Sequence, residues 1–249
     1  MSGHSRWAGI KHKKAIIDSK RGKVFTRLIR EVTIAAKHGG GKLESNPRLR
    51  AAVEAAKAAN MPSDNIKRGI QKGTGELPGA EYVETTYEGY GPGGVAVFIE
   101  ATTDNKNRTT AEMRHMFSEH GGNMGESGSV SWIFESKGFI TIDKKGVDEE
   151  KMTNMAIELG AEDIKSDSDV FEIYTAPHDF DLIKAKLIEN KFTLASAELS
   201  LIPKNTVPLE GDDALRCLKL MNALEDHDDV KTANANFDIA PEIIEKVSS

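Results

Sequence analysis

Residues 139–202 read FITIDKKGVDEEKMTNMAIELGAEDIKSDSDVFEIYTAPHDFDLIKAKLIENKFTLASAELSLI, and this stretch decides the fold. It contains a strand at Phe139–Asp143, a helix near Glu149–Leu159 and a strand near Ala161–Lys165. A strand at Val170–Tyr174, a helix near Phe180–Glu189 and a strand at Thr193–Ile202 follow. The order βαββαβ is that of the ferredoxin-like split βαβ unit. Working outward, Val95, Val97, Ile99 and Ala101 alternate in a strand behind Gly93-Gly94. Thr109 with Glu112 forms a capping box for a helix carrying Met113, Met116, Phe117 and His120. Val130, Trp132 and Phe134 alternate in a second strand, which makes Trp132 a core residue. On the far side lie a short strand, a helix near Ala214–Leu224 and a strand near Val230–Phe237. Neither flank completes a sheet, but together they make a βαβ-plus-βαβ unit. The reading is one ferredoxin-like α/β domain (137–203) inserted into another (80–136 and 204–249), with a single large sheet as the alternative.

Further toward the N-terminus the rhythm is helical. Phe25, Leu28, Val32 and Ala36 recur at spacings of three and four, so a helix runs from about Lys23 to His38, stopped by Gly39-Gly40-Gly41. Asn46 caps a second helix with Pro47 at its first position and Leu49, Val53 and Ala56 on its buried stripe. Asn60-Met61-Pro62 ends it, and Ser63 caps a third helix carrying Ile66 and Ile70 and ended by Gly73. Residues 73–79 read as a linker. The fold class is α+β: a basic arm and helical bundle (1–79), then the two α/β domains.

Composition narrows the function. The chain has 249 residues, 29% charged and 39% hydrophobic, an ordinary globular balance. No apolar run is long enough to span a membrane, and the start has no apolar segment of a secretory signal, so a cytoplasmic location is expected. A single cysteine, Cys217, rules out an intramolecular disulfide and a multi-cysteine zinc site. The net charge of -6 hides a polarisation. Residues 1–80 hold 17 Lys and Arg against 6 Asp and Glu, a net of +11, while the remainder holds 16 against 33, a net of -17.

The positive charge is concentrated. Arg6, Lys11, Lys13, Lys14, Lys20, Arg21, Lys23, Arg27 and Arg30 form one run, with Trp7 inside it. Cations so placed neutralise phosphates and release counterions, and an exposed indole among them stacks on bases. On the first helix Lys23, Arg27 and Arg30 fall about half a turn from the apolar stripe, which predicts a solvated basic face. The same run would also serve as a contact to an acidic protein or to the molecule's own acidic half, and Trp7 would equally dock as core. Other motifs carry less. Gly89–Gly94 precedes a strand, whereas a dinucleotide fingerprint follows one, and Gly121–Gly128 lacks a Gly-Lys-Ser/Thr ending. His115 and His120 are five apart, and no His-Glu-x-x-His occurs, so no metal or other cofactor is expected. Cys217 shares an apolar stripe with Leu218 and Met221, which favours packing over nucleophilic chemistry. No catalytic residues are assigned.

Several longer motifs resemble one family. Gly3-His-Ser-Arg-Trp-Ala-Gly-Ile-Lys-His-Lys-Lys14, Lys20–Glu31 and Asn60–Arg68 are similar to segments of the YebC/PmpR family, as are Tyr87–Gly94, Thr103–Thr109 and Gly121–Trp132. The likeness spans nearly the whole chain. It implies a three-domain α+β protein, a cytoplasmic DNA-binding transcriptional regulator with no catalytic residues. Mitochondrial members are translational activators, which implies ribosomal or messenger RNA, or a ribosome contact, as the other target. Both targets stay open at this level, and no helix-turn-helix recognition helix is identifiable. The expected partner is therefore nucleic acid, bound by a monomer without a membrane. The alternatives from other classes are a module gripping an acidic protein and an enzyme with paired carboxylates of raised pKa.

Overall fold

The computed structural model describes residues 21–166, 170–240 and 242–244. Helices α1 (Arg21–Gly39), α2 (Pro47–Ala58) and α3 (Ser63–Gly73) form the N-terminal module. Val32, Ala35, Ala36, Leu49, Ala52, Val53, Ala56, Met61 and Ile66 fill its core, with Phe25, Leu28, Ile29, Leu43 and Ile70 packed against them. Asn46 joins two helices. Its Oδ1 accepts the Leu49 N–H (3.0 Å), satisfying an orphan donor of α2. Its Nδ2 donates to the carbonyls of Ala35 and Gly40, both at 2.8 Å, which closes the end of α1. The third helix departs from expectation in its cap: α3 begins at Ser63 itself, and Pro62 holds the cap position without a side-chain bond. A Cβ at Gly73 would strike the Thr33 carbonyl, so α3 approaches α1 closely only because that position is glycine.

Beyond the linker, β1 (Val83–Tyr90) and β2 (Ala96–Thr103) form an antiparallel hairpin. Helix α4 (Lys106–Glu119) leads to the two-residue β3 (Asn123–Met124), which pairs with β1. The chain then enters β4 (Phe134–Asp143), α5 (Glu149–Glu158), β5 (Asp163–Ser166), β6 (Val170–Thr175), α6 (Phe180–Glu189) and β7 (Leu194–Pro203). It returns through β8 (Val207–Leu209), α7 (Gly211–Asp226), β9 (Val230–Ala235) and β10 (Phe237–Ile239). Strand β9 pairs antiparallel with β2, so segments on both sides of residues 134–203 share one sheet, of order β3-β1-β2-β9. The second sheet has the order β5-β6-β4-β7. A two-stranded parallel pair, β8 with β10, lies beside the first.

The inserted sheet has the expected elements in the expected order. Met152, Ala156, Ile183 and Leu187 from its helices meet Ile140, Ile142, Phe171 and Ile173 from its strands. The discontinuous sheet differs from the βαβ-plus-βαβ expectation. It contains β1, which the alternation reading left out, and its neighbour order matches the inserted sheet strand for strand: β2 corresponds to β4, β3 to β5, β1 to β6 and β9 to β7. The connection differs, because β1 precedes β2 instead of following β3. A second correction concerns Val130–Phe134. Residues Ser131–Ile133 form a 3-10 turn, and Trp132 is 64% exposed rather than core. Ile133 takes the buried position beside Val130, Phe134 and Ala96.

Candidate nucleic-acid interface

The expected contact surface divides into parts with different surroundings. Arg6, Trp7, Lys11, Lys13, Lys14 and Lys20 lie outside the described residues, as does the Arg21 side chain. Lys23, Arg27 and Arg30 follow the i, i+4, i+7 spacing along α1, but this side meets protein. It faces the C-terminus of α7, where unsatisfied carbonyls carry partial negative charge. Lys23 Nζ donates to the Asp226 carbonyl at 3.0 Å. Arg27 donates to the carbonyls of Glu225 and His227. Burial lowers the Arg27 pKa below its usual value, and this outweighs the opposing pull of Glu225, Asp226 and Asp228. Arg30 reaches the Asp228 carbonyl and, at 2.8 Å, the Asp229 carboxylate. The solvated basic face expected of α1 is therefore, at these three positions, a docking face against the acidic half.

Asp229 is the centre of that contact. It is 3% exposed. Oδ1 accepts from Arg30, while Oδ2 accepts from Arg108 (2.9 Å) and the Thr109 hydroxyl (2.6 Å). Burial pushes its carboxyl pKa up, but the bonds from Thr109 and Arg108 and the charge of Arg30 together outweigh it and hold the pKa below the ordinary value. The Asp229 N–H donates to His227 Nδ1 (3.1 Å), so Nε2 carries the ring proton and donates to Glu112 at 2.9 Å. Glu112, His227 and Asp229 bring ligand-type atoms within 4.8 Å of one another. Two guanidinium groups and a hydroxyl already occupy both Asp229 oxygens, which suits a hydrogen-bonded clasp and opposes a cation.

A second clasp lies nearby. Arg48 makes paired bonds to Glu84 on β1 (2.6 and 3.0 Å) and one to Glu31 on α1 (2.8 Å), and Lys231 on β9 lies 3.3 Å from Glu31. Burial raises the Glu31 pKa, but Arg48 and Lys231 outweigh it and leave the group below its usual range. Glu84, bonded to Arg48, is likewise lowered. An acid–base enzyme of the kind considered above needs raised carboxylates. The shifts at Glu31, Glu84 and Asp229 run the other way.

Cations that remain in solvent sit elsewhere on the module. Lys42, Lys57, Lys67, Arg68 and Lys72 are exposed, and none has a carboxylate within 4.0 Å among the described residues. Lys42, Lys57 and Lys67 border a groove floored by Leu43, Val53, Ile66 and Ile70. Helices α2 and α3 are joined by four residues, 59–62, within the range of helix-turn-helix connections. Asn65, Arg68 and Lys72 share one exposed face of α3. The sequence signal for this face was the breaker Asn60-Met61-Pro62 followed by cations between Ile66 and Ile70. The long N-terminal run overshadowed it.

These features define a class: an α+β protein in which a basic helical module, with three helices among the described residues, is clasped by ion pairs onto an acidic body that carries two four-stranded sheets. Comparisons with known proteins give the family. Residues 5–76 match the TACO1/YebC N-terminal domain and residues 82–237 match the TACO1/YebC second and third domain. The chain belongs to the TACO1/YebC family. A protein of Dictyoglomus turgidum is 55% identical over 249 residues, and one of Elusimicrobium minutum is 56% identical, each covering 100% of both chains. Both carry the name probable transcriptional regulatory protein. The crystal structure of a conserved hypothetical protein from Aquifex aeolicus is 50% identical, with a TM-score of 0.84 over 96% of this chain and 99% of that one. No helix among the described residues is long and apolar enough to cross a membrane.

Proposed function

We propose that this protein is a non-enzymatic regulator of gene expression that binds nucleic acid through its helical module, with duplex DNA as the target. The names of its relatives support a regulatory role. The observation that carries the reading is the exposed cations of α3, Arg68 and Lys72 on one face and Lys67 on the adjoining groove side, which lack acidic partners among the described residues and follow a four-residue turn from α2. Such cations bind phosphates, and a helix entered through a tight turn is suited to the major groove. Arg6, Lys11, Lys13, Lys14, Lys20 and Arg21 extend the surface in this proposal. Lys23, Arg27 and Arg30 leave it, because their hydrogen bonds hold the module in place. The -17 charge of residues 81–249 favours the module as the duplex-binding surface, since the net field of the body disfavours a long run of phosphates.

Replacing Lys67, Arg68 and Lys72 with Ala tests the proposal. Exposed substitutions shift stability by no more than about 0.5 kcal/mol each, so circular dichroism should be unchanged. Affinity should fall across all sequences, and the log–log salt slope should shrink by roughly 3, about one for each lost phosphate contact. A folded triple variant with an unchanged slope would refute the assignment. Matched titrations with duplex DNA and ribosomal RNA decide the target. Tighter RNA binding at equal salt would replace DNA with RNA.

A further inference from the structure

A second surface lies away from the helical module, where the chain between β3 and β4 is fixed from below. Glu88 on β1 is 4% exposed and accepts the backbone N–H groups of Gly128 (2.7 Å), Val130 (2.7 Å) and Ser131 (2.9 Å). Burial pushes the Glu88 carboxyl up, but the three amides outweigh it and hold the pKa below its ordinary value, so the anchor is an anion at neutral pH. The Gly125 N–H donates to the Glu88 carbonyl (2.8 Å), and the Tyr90 hydroxyl donates to the Ser129 carbonyl (3.0 Å). The segment 125–131 is therefore held at several points and ordered before any partner arrives.

This segment presents Trp132. Its indole Nε1–H donates to the Ser129 carbonyl at 3.1 Å, so the only polar edge of the ring is satisfied internally. The ring is thereby oriented while its 64% exposure leaves apolar surface in water. Aromatic side chains bring much of their energy through burial, and a fixed, exposed indole forgoes it until a partner covers it. Lys204 donates to the Trp132 carbonyl at 3.2 Å and has no carboxylate within 4.0 Å among the described residues. Ser127, Gly128, Ser129 and Ser131 precede Trp132 in sequence, while its apolar neighbours Val130, Ile133 and Phe134 are buried. Trp132 is the one exposed large hydrophobic of residues 125–134, so this segment offers no contiguous apolar patch of the kind that protein–protein contacts bury. A single flat ring on a Ser- and Gly-rich segment, with a cation bonded to the backbone carbonyl of the same residue, matches a nucleobase and its phosphate.

We propose that Trp132 stacks on an unpaired base of a single-stranded nucleic acid while Lys204 contacts the neighbouring phosphate. This deepens the nucleic-acid reading above and rests on it, but uses different residues and a different form of the ligand. The chain has two tryptophans, so a full-length Trp7→Phe variant leaves Trp132 as its sole indole reporter. The probes are a single-stranded oligo-uridine or oligo-thymidine and a duplex of equal length. Single strands should quench the fluorescence by stacking, whereas the duplex should not. In the full chain, Trp132→Ala should weaken single-strand affinity by roughly 5- to 140-fold, the loss of one stacked base. It should leave duplex affinity and its salt slope unchanged. Lys204→Ala should lower the single-strand salt slope by about 0.7. Unquenched Trp132 in the presence of bound oligonucleotide, unaltered affinity of Trp132→Ala, or no single-strand binding at all would each overturn the proposal. If the α3 triple variant loses duplex binding but single strands still quench Trp132, two separate sites are supported. Quenching with an unchanged duplex salt slope in that variant supports this site and refutes the α3 assignment.

Discussion

Replacing Asp229 with Ala removes the carboxylate on which Arg30, Arg108 and Thr109 converge. The three donors are not left equally. Arg108 is nearly half exposed and keeps Asp104 at 2.8 Å, so it turns to solvent at little cost. The Thr109 hydroxyl retains the Asn105 carbonyl and the Thr103 hydroxyl. Arg30 has a side chain only 12% exposed and loses its carboxylate partner among the described residues. Removing one member of a buried pair costs about 3–5 kcal/mol, and the relief available to Arg108 and Thr109 puts Asp229→Ala near about 3 kcal/mol. Arg30→Ala is milder, about 2 kcal/mol, because Asp229 keeps two donors, although the Arg30 bonds to the Asp228 and Thr102 carbonyls are lost with the one to Asp229. Lys23→Ala, which removes one exposed bond to a carbonyl, should stay within about 0.5 kcal/mol. Urea denaturation followed by circular dichroism measures these values from the midpoints at constant slope. A double-mutant cycle on Arg30 and Asp229 should give a coupling of about 0.5–3 kcal/mol. The reasoning fails if Asp229→Ala unfolds within about 0.5 kcal/mol of the unaltered protein, or if Lys23→Ala matches Arg30→Ala.

Cys217 is fully buried, and burial, assisted by nearby Asp213, pushes its thiol pKa up to about 12. The native protein should therefore be inert to a thiol reagent at pH 8 and react with one equivalent in guanidinium, whereas rapid labelling of the folded chain would contradict the packing. Glu88 and Asp229 are depressed carboxylates, so the stability they add is complete above their unfolded pKa values, near about 4, and disappears as pH falls through their lower folded values. Thermal melts should lose stability progressively below about pH 4, and Glu88→Gln, which removes one of the depressed carboxylates, should flatten that acid limb; parallel limbs for the two proteins would show that the anchor contributes nothing.

Local periodicity is a property of neighbouring residues, and it was legible wherever one face alone decided burial. The elements of the inserted sheet and the stripes on α1 and α2 follow from spacing, because Ile140, Ile142, Leu49 and Val53 are buried in the positions their periods assign. Strand β1 was not legible in this way. Its buried end includes Glu88, and a carboxylate there is tolerated only because amides of Gly128, Val130 and Ser131, some forty positions away, satisfy it. The same bonds explain Trp132. A strand through Val130–Phe134 fits the alternation, but Glu88 takes the N–H groups of Val130 and Ser131, and the chain turns and exposes the indole. The sequence by itself determined the α+β class, the basic module and its polarity against an acidic body. Only the tertiary structure decided which cations are free. Arg27 and Arg30 find partners 198–200 positions away, at the end of α7, and that pairing cannot be read from helical spacing. Charge follows from composition, but its availability to a ligand depends on which surfaces the fold brings into contact.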